Sequence, residues 1–238
     1  VRIRNVCYNL TKSSKYAVSI TRSNKCGDWQ NNVTKLGKFG NQCGRMYMKI
    51  DTVSTLYHGT AKMFQYFDLR YAKMFKDFGK GFYLTTNFMQ AQKWAQQKAD
   101  REKSSITYIY QYKIKYASFQ EYKILELLQY DEKWLDFIAD CRIDGKETDY
   151  DIIYDKMADN RGKNISQILD KYKKGIISAS DAVSSIRWKT EKEEKADQYC
   201  FKTQKALKIL NDRLVVMQQK DENGIWKIAE RKEEKIDQ

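Results

Sequence analysis

Leu56-Tyr57-His58-Gly59-Thr60 and, some twenty residues on, Asp77-Phe78-Gly79-Lys80-Gly81-Phe82-Tyr83-Leu84-Thr85-Thr86 are the stretches on which the fold turns. The first ends a short apolar run, Thr52 to His58, that reads as a buried strand stopped by the turn-prone Gly59-Thr60. The second has two glycines two apart and then aromatic and β-branched residues, the pattern of a loop running into a strand. Between them a helical stretch is expected from Phe64 to Met74. Beyond, Asn87 suits a helix N-cap, with Phe88, Ala91, Trp94, Ala95 and Lys98 at helical spacing. Ile106 to Ile114 alternates as a strand does, and Glu121 to Asp140 looks partly helical, with Trp134, Phe137 and Ile138 on one face. Tyr150–Tyr154 and Gln198–Thr203 read as strands. Ile165–Tyr172 and Asp181–Trp188 read as helices around a turn at Lys174-Gly175, and Thr203 to Leu207 as a helix or turn. The tail from Asp221 is charge-dense and expected to fray. Strands and helices mix without regular βαβ alternation, so the class is α+β.

The first 47 residues differ in kind. They hold nine Lys or Arg against the single acid Asp28, so eight of the net +13 charges fall there and only five on everything that follows. They are rich in Asn, Ser, Gly and Thr, carry Cys7, Cys26 and Cys43, and show no sustained helical or alternating period. The expectation is therefore a basic extension over 1–47 outside the domain, and a domain over 48–238. Met46 and Met48, just before the first strand-like run, suggest that translation of the domain starts at Met48 and that the extension is an upstream artefact.

Composition narrows the functional classes. A 42% hydrophobic content supports a folded body. Five cysteines without paired CxxC spacing and one histidine fit neither a disulfide framework nor a zinc site, so no metal is expected. No run approaches the roughly 18 apolar residues of a membrane span, and a soluble cytoplasmic protein is the simplest expectation. A surplus of five positive charges over about 190 residues describes a solvated surface better than a dedicated nucleic-acid groove.

Residue by residue the chemistry is thin. A lone histidine is more often structural than functional, and no serine or cysteine sits in a nucleophile motif that would use it. His58 has Gly59 beside it, however, where backbone can approach a ligand closely, and an imidazole next to exposed amide and carbonyl groups suits a carboxamide or a ribose hydroxyl. Gly79-Lys80-Gly81 lacks the spacing of a phosphate loop, and on glycine spacing alone a simple turn is the better reading. Trp94 reads equally well as a core tryptophan.

Taken in order, Leu-Tyr-His-Gly followed by Phe-Gly-Lys-Gly-Phe-Tyr-Leu-Thr-Thr resembles the ADP-ribosyltransferase superfamily of the diphtheria-toxin and poly(ADP-ribose) polymerase type, whose members carry a His-Tyr-Glu triad. The resemblance implies a split fold of two packed antiparallel or mixed sheets with helical insertions, binding NAD. It implies that His58 bonds the adenosine ribose, that Gly59 offers backbone groups to the nicotinamide amide, and that Tyr83 stacks on the nicotinamide ring. Tyr57, Thr60, Gly79 and Gly81 flank the cofactor, and Trp94 falls where the polymerase branch places a second stacking aromatic. More narrowly, Lys76-Asp77-Phe78-Gly79, Trp134-Leu135-Asp136-Phe137-Ile138, Tyr150-Asp151-Ile152-Ile153, Ala158-Asp159-Asn160 and Asp197-Gln198-Tyr199-Cys200-Phe201-Lys202-Thr203 resemble an uncharacterised bacterial subfamily of that superfamily. Its members often lie beside a small partner gene, as in a toxin–antitoxin pair. The likeness runs from Leu56 to about Leu210, and departs from the pattern at Asp155, where a glycine is expected.

Gln198 falls at the third triad position. In enzymes of that type a glutamate there bonds the nicotinamide-ribose 2′-hydroxyl and stabilises an oxocarbenium-like transition state. An amide accepts the same bond but carries no charge, so Gln198→Glu is expected to raise NAD hydrolysis. Asp197 should point to the opposite face, and Glu194 is a weaker alternative. The function implied is NAD-dependent transfer of ADP-ribose to a protein or nucleic-acid acceptor, by a toxin with a small antitoxin partner. Two rivals stand beside it. One is an NAD-binding module without turnover, favoured by Gln198. The other is a nucleic-acid-binding protein, favoured by Arg70-Tyr71-Ala72-Lys73-Met74-Phe75-Lys76, whose cations would equally offset the NAD pyrophosphate.

Overall fold

The computed structural model describes residue 50 and residues 53–114, 119–159, 164–188 and 197–234, together with two strands near the N-terminus. The chain divides into two compact units, Val1–Met46 and Tyr47–Gln238. Within the first, β1 (Tyr16–Ile20) and β2 (Asn31–Lys35) pair antiparallel, Tyr16 opposite Lys35 and Ile20 opposite Asn31. Runs of five residues are too short to register as a sustained period, which is why sequence alone gave them no element.

The second unit has two four-stranded sheets. Its remaining strands are β3 (Thr55–Thr60), β4 (Phe82–Leu84), β5 (Ile106–Ile114), β6 (Ile124–Leu127), β7 (Ile152–Lys156), β8 (Asp197–Phe201), β9 (Leu210–Lys220) and β10 (Trp226–Glu234). One sheet runs β10-β9-β5-β3, antiparallel throughout; the other runs β4-β8-β7-β6, antiparallel except for the parallel β6–β7 pair. A parallel pair needs a crossover, and α2 (Glu132–Arg142) supplies it. The other helices are α1 (Phe88–Glu102), α3 (Ile165–Lys173), α4 (Ala179–Ile186) and α5 (Gln204–Leu207). The architecture is α+β.

Alternation along the strands builds the layers. Leu56, Tyr110 and Tyr112 of the first sheet meet Phe82, Leu84, Ile152, Tyr199 and Phe201 of the second in one core. The outer face of the first sheet takes α1 through Ala91, Ala95 and Ile109. On the outer face of the second, Ile153 and Cys200 pack with Phe78 and with Trp134, Ile138, Leu169 and Ile186 from α2, α3 and α4. The sheets also join at their edges, where Tyr57 and Thr85 exchange backbone hydrogen bonds of 2.8 and 2.9 Å.

Four expectations are corrected. Gly59 and Thr60 lie within β3, because pairing with Ile109 and Tyr108 carries the strand through them. No α-helix forms over Phe64–Met74, where only Leu69–Tyr71 makes a 3-10 turn. Tertiary contacts win there: Phe67 stacks on Phe82 with ring centroids 4.1 Å apart, and the Phe64 N–H donates to the Tyr110 hydroxyl at 2.8 Å. The segment Glu121–Asp140 is partly helical as expected, through α2, and the correction there is only the added strand β6 ahead of the helix. The tail is not frayed up to Glu234 but forms β10, an edge strand exposed along most of its length. With both faces wet, it carries no apolar alternation to read.

Candidate functional site

β3 sets the first two residues. His58 points into the inter-sheet layer, where its ring lies 4.7 Å from Phe82, 5.9 Å from Phe64 and 6.4 Å from Phe67 between centroids. Its Nδ1 is 2.7 Å from the Tyr83 carbonyl oxygen. A carbonyl can only accept, so the proton sits on Nδ1 and Nε2 is left as an acceptor. Desolvation holds the ring pKa down to about 4, with Lys98 pushing the same way and the Tyr83 carbonyl opposing, so the imidazole is neutral at physiological pH. Gly59 faces the other way. A Cβ there would lie 1.8 Å from the Ala91 carbonyl oxygen, so the absent side chain is what lets α1 settle on the strand. Tyr57 turns its backbone away from β5 to meet Thr85, and by strand alternation Gly59 presents its N–H and C=O along the same outer edge. The Tyr57 ring itself packs edge-on against Phe88, 5.6 Å away.

The loop before β4 is clamped by its own bonds. The Tyr83 hydroxyl donates to the Gly79 carbonyl at 2.7 Å and accepts from the Phe78 N–H at 3.1 Å, and its ring lies parallel to Phe78 at 5.9 Å. Burial raises the Tyr83 pKa well above that of a free phenol. Lys202, from the end of β8, donates to the carbonyls of Phe78 and Lys80 at 2.5 and 2.9 Å. Gly79 has φ +70, a conformation that favours glycine, and a Cβ on Gly81 would come within 2.2 Å of the Cys200 Sγ. Both glycines thus have a structural cause within the loop.

β8 is buried along its whole length although its first two residues are polar. Asp197 is accounted for: its carboxylate accepts from the Thr85 hydroxyl at 2.8 Å, the Thr86 N–H at 3.0 Å and the Thr86 hydroxyl at 2.5 Å, which pins the chain entering α1. Gln198 projects to the opposite face, alongside Tyr83 and Cys200, and its Nε2 donates to Asp77 Oδ2 at 3.1 Å. Asp77 is ion-paired with Arg142 of α2. Asp155, opposite Gln198 on β7, is fully buried; one oxygen accepts from Trp134 Nε1 at 2.8 Å and the other has no hydrogen-bond partner. Burial first, and then the nearby Asp77 charge, hold the Asp155 carboxyl protonated well above the usual carboxylate range. At Asp155, where the resemblance leads one to expect glycine, the structure has an acid beside the third triad position.

Several cations lie close to one another near Thr60. Lys98 on α1 donates to the Thr60 hydroxyl at 3.4 Å, and desolvation holds its pKa below the ordinary amine value, with Glu102 opposing and Lys73, Lys76 and Arg101 adding to the shift. Lys76 is lowered likewise, by desolvation and by Arg142, Lys73 and Arg101. Trp94, one turn before Lys98, is half-buried and belongs to none of the three apolar clusters, so it is not a core tryptophan. Arg70 is not part of this group: it forms a two-pronged pair with Asp68 at the surface. His58, Tyr83 and Gln198 are therefore connected, through the Tyr83 carbonyl on one side and the Asp77 loop on the other. Glu194 lies outside the described residues. Sequence reading missed Asp77, Arg142, Asp155 and Lys98 as members of the site. Lys98 had a signal, sharing a helix face with Trp94 at i+4; the Asp77–Arg142 pair, 65 residues apart, had none.

No described helix is long and apolar enough to cross a membrane, and among the described residues no group of His, Cys, Asp and Glu is placed to hold a metal. No curated protein and no solved structure matches the chain. A family model described as "Protein of unknown function (DUF3990)" matches residues 54–211. That span begins before His58, ends beyond Gln198 and contains every residue of the site above, so the chain belongs to the DUF3990 family.

Proposed function

We propose that this chain binds NAD as a substrate and transfers its ADP-ribosyl group to a macromolecular acceptor, on an ADP-ribosyltransferase-like split fold. The observation that carries the reading is that Lys98, bonded to Thr60 of β3, has Lys73 and Lys76 for neighbours close to the strand whose outer backbone edge is formed by Tyr57 and Gly59. Lys76 and Lys98 are partly desolvated and have cationic neighbours, which Asp77 and Glu102 offset only in part, so an anion would stabilise them. A pyrophosphate supplies two charges in the space of a few ångströms. The remaining donors fit the rest of such a molecule. Gly59 offers one N–H and one C=O, as a carboxamide requires; His58 Nε2 accepts from a ribose hydroxyl; the partly exposed rings of Tyr83 and Trp94 offer stacking faces.

Gln198 orients rather than ionises. Its amide N–H is held by Asp77, which directs Oε1 to accept a hydroxyl proton, while the Asp77 charge is offset by Arg142. With no free carboxylate at that position, transfer depends on positioning the acceptor, and hydrolysis by water is slow. In line with the resemblance, the activity is that of a toxin restrained by a small antitoxin protein. Incubation of the full chain with adenylate-labelled NAD and cell extract, alongside calorimetry with NAD, tests this. NAD binding with label on a macromolecule, both lost in His58→Ala, is expected. Absence of NAD binding at millimolar concentration overturns the reading, and binding without label under any extract favours a module without turnover.

A further inference from the structure

Five of the ten large apolar side chains most exposed among the described residues fall in one segment, residues 63–75, although it is fastened to the body from beneath. Phe64 and Phe67 hold its inner side: Phe67 stacks on Phe82, the Phe64 N–H reaches Tyr110, and Arg213 donates to the Phe64 carbonyl at 3.3 Å and to that of Gln65. The outer side carries Tyr66 at 58% exposure, Tyr71 at 83% and Phe75 at 58%. Phe75 sits at φ 58, uncommon for an aromatic residue, and its ring abuts Gly145, where an added Cβ would come within 2.9 Å. These rings are held out by a fixed backbone.

Charge selects what covers them. Lys62, Lys73 and Lys76 alternate with the apolar residues along the segment, while Arg70 is taken up by Asp68. Of its acids, Asp68 is neutralised by Arg70 and Asp77 is turned inward to Arg142. Protein contact cores take up such rings and Arg but are depleted of Lys, whereas rings interleaved with lysines match unpaired bases joined by phosphates. We propose that the outer face of residues 62–76 is a docking platform for single-stranded nucleic acid, which thereby becomes the acceptor. The acceptor role rests on the transferase reading; the binding does not. In that role a base nitrogen or hydroxyl of the strand forms the new bond to C1′ of the nicotinamide ribose. The bond from C1′ to the nicotinamide nitrogen breaks, its electron pair leaving with neutral nicotinamide, and the acceptor's proton passes to solvent.

The test uses the full chain with fluorescein-labelled twelve-nucleotide DNA and RNA strands and the matching duplexes, read by anisotropy across a salt series. Single strands should bind at least tenfold more tightly than duplexes. The double variant Tyr66→Ala/Tyr71→Ala should lose about tenfold or more in single-strand affinity, as removal of stacked bases does, with the slope against salt unchanged. Both residues are exposed, so the variant should keep the wild-type melting temperature and NAD affinity. Equal affinity for duplex, or an unaffected double variant, overturns the platform. Strand binding without NAD binding leaves the platform standing and removes the transferase reading. NAD binding with label only on protein removes the strand's acceptor role and leaves the transferase reading standing.

Discussion

His58 is the chain's only histidine, so its ring gives a single unambiguous titration. A ring pKa near 4 means that between about 4 and 6.5 the unfolded chain binds a proton that the folded chain does not, so His58 makes stability rise with pH in that window and has no effect above it. The imidazole C2–H resonance should stay flat from pH 8 to about 5 and move only below that; a midpoint at 6 or higher contradicts the enclosed, neutral ring. Asp155 has the opposite sign. With its folded pKa raised, its contribution is complete below the ordinary carboxylate pKa and is lost as pH rises through and beyond it. Asp155→Asn, which copies the neutral form, should flatten that loss and be at least as stable as wild type at pH 7. Asp155→Ala, which leaves Trp134 Nε1 without an acceptor, should cost about 2 kcal/mol or more in denaturant unfolding. The burial around Gln198 bears on the expected effect of an acid there. Gln198→Glu would add a carboxyl at a buried position beside Asp77 and the protonated Asp155, where desolvation favours protonation over ionisation. NAD hydrolysis by Gln198→Glu should therefore stay near the wild-type rate at pH 7, and a large rise would show that the added carboxyl ionises.

At the scale of elements, legibility followed burial on one side. β5 was read with its observed ends because one face is core and the other is not, and Asn87 was read as a cap because its side chain does accept the Gln90 N–H, at 3.3 Å. The segment before β4 misled because Phe64 and Phe67 have helical spacing yet are used singly, each fixed by a partner distant in sequence. β10 gave no signal since it faces water on both sides, and its Lys and Glu side chains suit an edge that must not pair with a second chain. Of the site, His58, Tyr83 and Gln198 lay in quotable motifs, whereas the acids and cations around them come from four other elements or loops. Gly59 was read for its backbone alone, but its lack of a side chain also matters to α1. Gly59→Ala forces a methyl into the Ala91 carbonyl, so the helix must lift from β3; a loss of about 2–3 kcal/mol is expected, seen as a melting temperature lower by several degrees. An unchanged melting temperature would mean that α1 does not rest there.

On the scale of the whole molecule, the division at Met46 makes the basic N-terminal unit separable in principle, while Ile50, 1% exposed, already belongs to the inter-sheet core. A chain shortened to begin at Met48 should unfold within about 1 kcal/mol of the full one and bind NAD alike, whereas one begun after Ile50 should lose roughly 2 kcal/mol or more, the size of a large core deletion. Equal losses in both would place residues 1–47 inside the fold.

The pairing of Arg213 with Glu234 has a consequence in time. Arg213 is the group that holds the Phe64 and Gln65 carbonyls, and it is itself fixed by Glu234 at the far end of β10, Nε to Oε2 at 2.8 Å. During synthesis the segment that carries Lys73 and Lys76 is made early and can dock through Phe64 and Phe67, but its fastening by Arg213 must wait until residue 234 has left the ribosome and the last hairpin has closed. The emerging chain therefore secures this segment last, once its C-terminal hairpin has closed.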